Sequence, residues 1–171
     1  MRQALKDSYL KIDADIKEFH KSKTDFSGST LCTCIIKGRN LYVSNVGDSR
    51  TILISSSEIL QLTRQQRPDD PFELARILMS GGRVFPLKYP DGKPNGPHRV
   101  WLPEVDFPGL AMSRSIGDSK LHQYGVTSQP DVVDITLKPN DRTLVIGSNG
   151  LFEYLSNQEV CDTIMQYYEM S

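Results

Sequence analysis

The sequence predicts an α+β fold in which two antiparallel sheets pack together with helices outside them. Three observations carry that expectation. Apolar residues at steps of three and four mark a helix at the start of the chain. A series of short, β-branched apolar segments joined by tight turns follows it. Helical signals and further strands then alternate to the end, so the order runs helix, strands, helix, strands, helix.

In the first helix Leu5, Tyr9, Ile12, Ile16 and Phe19 form one apolar stripe, and the helix ends before the polar stretch from Lys21 to Ser29. The period then changes. Leu31 to Ile36, Leu41 to Val46, Arg50 to Ile54 and Glu58 to Leu62 read as the strands of an antiparallel meander, with turns at Lys37-Gly38-Arg39-Asn40 and Ser55-Ser56-Ser57. Asp70 is a natural N-cap, Pro71 suits the first helical position, and Glu73 sits where a capping box places its acid. Leu74, Ile77 and Leu78 would be the buried stripe of that helix, and Gly81-Gly82 its stop. The segment from Pro86 to Gly109 is rich in proline and glycine and reads as a long loop or flap with one strand near Arg99 to Leu102. Val132 to Leu137 and Thr143 to Ile146 read as strands. Ser156-Asn157-Gln158-Glu159 is a capping box opening a last helix, with Val160, Ile164, Tyr167 and Tyr168 on its inner face.

Composition narrows the class. The chain has 171 residues, of which 38% are hydrophobic and 24% charged, the balance of one soluble globular domain over 1–171 rather than of a disordered segment. Lys and Arg number 20 against 21 Asp and Glu, so there is no basic footprint for nucleic acid. No apolar run approaches the roughly 20 residues of a membrane-spanning helix, and the mixed-charge start is not a signal peptide. Cys32 and Cys34, two apart on a strand, share a face and with Cys161 read as small hydrophobes in a reducing compartment, cytosolic or nuclear. His20, His98 and His122 lack the spacing of a zinc site.

Three clusters carry chemistry. Gly47-Asp48-Ser49-Arg50 interrupts an apolar run at a strand junction, Ser113-Arg114-Ser115-Ile116-Gly117-Asp118 precedes a turn, and Ser148-Asn149-Gly150-Leu151-Phe152-Glu153 follows a strand directly. Each sets an acid or amide beside a glycine at a strand end, where polar groups converge on sites. Taken singly, such a pair is usually a turn. Together their oxygens suit a hard cation such as Mg²⁺ or Mn²⁺. Arg50 and Arg114 either hold phosphate bidentately or brace the adjacent acidic loops, the second being favoured. Trp101 either anchors the flap on the core, the favoured reading, or joins Arg99 in a substrate groove.

In order and spacing, Ser27-Gly28-Ser29-Thr30, Gly47-Asp48-Ser49-Arg50, Leu62-Thr63-Arg64, Gly81-Gly82-Arg83-Val84, the Ser113–Asp118 cluster, Gln129-Pro130-Asp131-Val132 and the Ser148–Glu153 cluster resemble the PP2C (PPM) family of metal-dependent protein serine/threonine phosphatases over the whole chain. The resemblance implies the PP2C-like α/β/β/α sandwich, a phosphoprotein substrate, and two Mg or Mn ions sharing a water that attacks phosphorus. It implies Asp48, Asn149 and Glu153 as metal-site positions, with Asp118 as a nearby structural group. Two departures stand out. The family's Asp-Gly-His-Gly and C-terminal Asp-Asn motifs are absent, so the chain would begin one helix into the family's domain and stop before its last strand. Asn149 stands where the family has a metal aspartate, which removes a negative charge. These departures imply a chain inactive by itself, or a pseudophosphatase acting as a binding or regulatory module. Missing outer strands would also leave sheet edges open to self-association.

Overall fold

The computed structural model describes residues 1–169. Helix α1 (Arg2–His20) leads through a 3₁₀ turn (Lys21–Thr24) to a two-residue strand β1 (Gly28–Ser29). Strands β2 (Leu31–Lys37), β3 (Asn40–Val46), β4 (Arg50–Ser55) and β5 (Ile59–Gln61) follow, then helix α2 (Pro71–Met79). After it come β6 (Arg83–Lys88), β7 (Pro94–Trp101), β8 (Pro108–Leu110), β9 (Ile116–Gly117) and the single turn α3 (Ser119–His122). The chain closes with β10 (Asp131–Thr136), β11 (Asp141–Gly147), the single turn α4 (Asn149–Phe152) and α5 (Asn157–Glu169).

The four strands expected to form one meander divide between two sheets. β2 and β3 make a hairpin completed by β10, whereas β4 and β5 pair with β11. The Gly47-Asp48-Ser49 turn between β3 and β4 is therefore a crossing from one sheet to the other. Strand alternation then builds the layers. Leu41 and Val43 of β3 meet Leu53 of β4 between the sheets. Val46, on the other face of β3, packs with Tyr9 of α1. Ile52 and Ile54, on the other face of β4, pack with Phe152, Val160 and Cys161 near the C-terminus. The order helix, sheet, sheet, helix is the expected sandwich.

Helix faces differ in detail from the periodic stripes. In α1 Leu5 and Tyr9 are buried, but Phe19 is 82% exposed and Asp13 is buried in its place. The Tyr9 hydroxyl reaches Thr33 Oγ1 and the Ser44 carbonyl, both at 3.0 Å, and burial pushes its pKa up to about 12. In α5 the reciprocal capping box forms: Ser156 N donates to Glu159 Oε2 at 2.7 Å and Glu159 N to Ser156 Oγ at 3.2 Å. Val160 and Cys161 face inward there, while Tyr167 and Tyr168 are exposed.

The segment expected to be a flap loop is a three-stranded antiparallel sheet, β6-β7-β8. Its strand prolines fall where a ladder tolerates them: Pro86 on an edge strand, Pro94 and Pro108 at strand starts, and Pro97 in the bulge that shifts the β6–β7 register. Val84, Val100 and Leu110 point to a satellite core with Ile77 of α2, Leu121 and Val126. Trp101 is buried, stacks on Phe85 at 5.1 Å, and donates its indole N–H to the Phe85 carbonyl at 2.8 Å. Gly109, at φ 77°, lies under that ring, and a Cβ there would sit 2.6 Å from it.

Helix α2 holds the largest departure from its sequence pattern. Asp70 caps it as expected, accepting from Phe72 N at 3.1 Å. Glu73, though, does not fold back to complete the box. It points inward with no exposed surface, while Leu78 turns out to solvent. Its carboxylate accepts from Arg114 Nη2 at 2.6 Å, Arg76 Nη2 at 2.7 Å, Ser113 Oγ at 2.8 Å and Arg64 Nη2 at 3.3 Å. Burial alone would raise its pKa, but these donors, Arg114 foremost, hold it down at about 2.

Two outcomes follow from this packing. Glu73→Gln leaves the half-buried Arg76 and Arg114 guanidinium groups without their anionic partner and should lower unfolding stability by about 3 kcal/mol, read from denaturant midpoints. Because the folded pKa lies below the ordinary 4.5, the Glu73 contribution is complete above about pH 5 and fades as pH falls toward 2. A wild-type stability curve flat across that acid range, or one indistinguishable from that of Glu73→Gln, would contradict the assignment. Gly109→Ala should displace Trp101, the single tryptophan of the chain, and so red-shift its emission; unchanged fluorescence would show that the contact is not tight.

Candidate functional site

The two ends of the sheet β11-β4-β5 that carry polar turns lie side by side. The antiparallel register pairs Gly147 of β11 with Arg50 of β4. The Gly47–Arg50 crossing therefore emerges next to the turn that starts α4. Gly47 adopts φ 99°, and a Cβ there would lie 2.4 Å from Thr30 Cγ2, so the tight crossing requires glycine. Gln66, fully buried, accepts from Gly47 N at 2.7 Å and donates to the Asn45 carbonyl at 3.2 Å. Gln65 donates to the Asp48 carbonyl at 3.0 Å. The backbone on both sides of Asp48 is thus held, and its carboxyl is left to project.

Asp48 is half-buried. Burial pushes its pKa up, a backbone hydrogen bond and the Arg67 guanidinium draw it back, and the nearby Glu153 carboxylate pushes it up again. That repulsion puts Asp48 and Glu153 in one electrostatic neighbourhood. Asn149 joins them: its Nδ2 donates to Glu153 Oε2 at 2.9 Å, while its Oδ1 is buried with no partner. The three positions expected to form a metal site are therefore drawn toward one place. Arg50 braces it rather than opening onto it. Its Nη1 donates to Asn157 Oδ1 at 2.7 Å and its Nη2 to Gln65 Oε1 at 3.2 Å, with the guanidinium 4.7 Å over the Phe152 ring.

The other expected residues lie in two further environments. Arg114 is spent on Glu73 and on Asp131, the latter at 3.0 Å, so it is a structural brace. Asp118, at φ 48°, is buried beside Ser115, His122 and Asp13, and its Oδ2 has no hydrogen-bond partner. Burial pushes its pKa up, and Ser115 and His122 partly offset that. Gly28 packs against its carboxylate so closely that a Cβ would meet Oδ2 at 2.1 Å. Arg99 lies on the flap sheet, its Nη1 donating to the Gly109 carbonyl at 2.7 Å, beside the buried Trp101. Residues not singled out by pattern also matter: Gln65 and Gln66 fix the Asp48 turn, and Arg67 is the cation nearest in effect to Asp48. The adjacent pair of long amides before an arginine was the available signal, since an amide can donate and accept at once.

These donors can be tested against a pair of Mg or Mn ions. Asp48 and Glu153 bring carboxylates, and Asn149 brings one orphaned amide oxygen. Among the described residues no three acids, histidines or cysteines converge on a point. Paired divalent ions share anionic bridges, and the group here has a neutral oxygen at one corner. The residues present do not fit a two-metal centre.

Comparison with known proteins bears on the whole chain. The family model described as Protein phosphatase 2C matches residues 1–170. "Probable protein phosphatase 2C 73" of Arabidopsis thaliana is 38% identical over 168 residues, covering 93% of this chain and 44% of that protein. "Probable protein phosphatase 2C 12" of rice (Oryza sativa subsp. japonica) is 39% identical, covering 95% of this chain and 42% of its own length. The chain thus spans less than half the length of these relatives. A crystal structure of serine-threonine phosphatase 2C from Toxoplasma gondii superposes with TM-score 0.88 at 26% identity, covering 99% of this chain and 56% of that one. A C. elegans sex determining protein shares the fold at TM-score 0.79 and 21% identity, over 95% of this chain and 37% of that one. With the sandwich, the crossing at Asp48 and the turn at Asn149 all in the family's order, this chain belongs to the protein phosphatase 2C family.

Proposed function

We propose that this chain is part of a protein serine/threonine phosphatase of the 2C type, which hydrolyses phosphoserine and phosphothreonine esters of phosphoproteins with Mg or Mn as cofactor, and that the chain alone is inactive. The observation that carries the reading is the convergence of Asp48 with Asn149 and Glu153 where the sheet-to-sheet crossing meets the start of α4. In the family, the metals supply an activated water. Asp48 and Glu153 are the anionic groups of this neighbourhood, Arg50 and Gln65 hold the turn in place, and Arg114 and Asp118 support neighbouring loops. The neutral corner at Asn149 leaves the donor set short of what paired cations require.

A second reading, a pseudophosphatase that keeps the fold as a binding or regulatory module, is favoured by one contact. The Asn149 amide donates to Glu153, so the substitution removes one charge and occupies part of another acid. An aspartate at 149 would reverse both effects.

Two measurements test these readings. In millimolar Mn²⁺ the chain should hydrolyse a phosphothreonine peptide no faster than Mn²⁺ in buffer; steady turnover would defeat the claim of inactivity. Asn149→Asp should bind Mn²⁺ about tenfold more tightly than the native chain by calorimetry, as an anionic oxygen replaces a neutral one. If the affinity does not rise, position 149 has left metal chemistry and the module reading gains.

A further inference from the structure

The flap sheet carries a second polar site that shares no residue with the Asp48 neighbourhood. Its two long strands repeat one pattern, cation–valine–aromatic: Arg83-Val84-Phe85 on β6 and Arg99-Val100-Trp101 on β7. Antiparallel register pairs Arg83 with Trp101 and Phe85 with Arg99. By alternation, both valines face the satellite core and all four flanking residues face the opposite side. The two aromatic rings stack across the diagonal, and the two guanidinium groups occupy the other diagonal.

This outer face is the floor of a cavity of about 690 Å³, lined also by Lys88, Asp106 and Pro108. That volume lies in the range of ligand sites. Its charge is unbalanced: Arg83, Lys88 and Arg99 face a single acid, Asp106. Asp106 is already engaged, accepting from Arg83 Nη2 at 2.9 Å. Arg83 is further held by the Leu102 carbonyl at 2.8 Å and lies over the Phe85 ring at 5.3 Å. Two cations are left to the cavity. Lys88 is exposed at its rim. Arg99 is half-buried and anchored through Nη1 to the Gly109 carbonyl, while its Nε is buried without a hydrogen-bond partner. Arg99 and Lys88 both line the cavity, and a planar fork beside a point charge suits a carboxylate or phosphoryl group. The partly exposed Phe85 ring offers an apolar surface for the stem of the side chain that bears it.

We propose that this flap cavity docks an anionic side chain, phosphoryl or carboxylate, of an extended protein partner. Arg99 and Lys88 bind the anion, and Arg83, locked by Asp106, orients the aromatic floor. The proposal deepens the phosphatase reading only in naming a chemical feature of its partner; the binding itself needs neither metal nor turnover.

The test measures binding of three fluorescein-labelled peptides to the chain in metal-free buffer by anisotropy. They share one extended sequence and carry phosphothreonine, glutamate or glutamine at a single position. The two anionic peptides should bind at least about tenfold more tightly than the glutamine peptide, and rising salt should weaken them. Lys88→Glu, at an exposed position where folding is not at risk, should cost about tenfold in affinity, and Arg99→Gln at least as much. Preference for phosphothreonine over glutamate would assign the anion as phosphoryl; equal affinity would assign any carboxylate-sized anion. Equal binding of the glutamine peptide, or affinity unmoved by both substitutions, would overturn the proposal. Hydrolysis is not read, so failure here leaves the reading of the Asp48 neighbourhood intact.

Discussion

A buried carboxylate with four hydrogen-bonded donors ties α2 to the loops around the candidate site. Glu73 enters the interior from α2 and is met by arginines from three different segments, Arg64, Arg76 and Arg114. No one of these contacts would justify the cost of removing a carboxylate from water, and it is their number that makes the buried charge tolerable. The network does not stop there. Arg114 continues to Asp131, Asp131 accepts from Gln66 at 3.0 Å, and Gln66 holds Gly47. A continuous path of polar contacts therefore runs from the interior end of α2 to the residue preceding Asp48. The position of the candidate site is set by a charge outside it, and Arg114, whose motif draws attention as a phosphate ligand, serves that path.

Such a path is hard to read from a sequence because its members are far apart along the chain. Local signals are another matter. The capping box of α5 forms as written, and the strands β2, β3, β4, β10 and β11 fall within a residue or two of their apolar runs. Where pattern and structure part, a second meaning of the same residue is the cause. Glu73 satisfies a capping motif and a buried ion cluster equally well on paper; only the arrival of Arg114, 41 residues away, decides between them. In α5 the periodicity continues through Tyr167 and Tyr168, but both rings stay exposed, and Tyr168 meets the sheet through its hydroxyl, which accepts from Thr143 of β11. Among the described residues of the candidate site, Asp48, Asn149 and Glu153 stand out by motif order, whereas the glutamines that hold the Asp48 turn have no motif of their own.

The flap shows a pattern hidden by composition. Proline and glycine density suggests a loop, yet Arg-Val-Phe and Arg-Val-Trp recur at a separation that lets a hairpin bring them face to face. Period-two alternation does two jobs with six residues: the valines close a satellite core over α2, and the cations and rings are delivered to the opposite face. Stability and recognition surface thus come from one hairpin, so its register matters more than the identity of any one exposed residue.

Asn149 is the point at which local geometry and chemistry separate. The turn after β11 is tightly built: Ser148 precedes a helical turn, Phe152 packs under Arg50, and Glu153 lies in the electrostatic neighbourhood of Asp48. An amide differs from a carboxylate there by almost no volume, so packing gives no reason to resist the change. Electrostatics does respond. Asp48 and Glu153 repel one another, and a third carboxylate would raise that repulsion further unless cations were present to offset it. The amide relieves this repulsion by donating to Glu153 at 2.9 Å. On the proposed reading, weaker metal binding and relief of repulsion would be the same substitution seen with and without the cation. A site drifting from catalysis toward binding would be expected to change here first, at the one corner where the metal-free fold benefits from the loss.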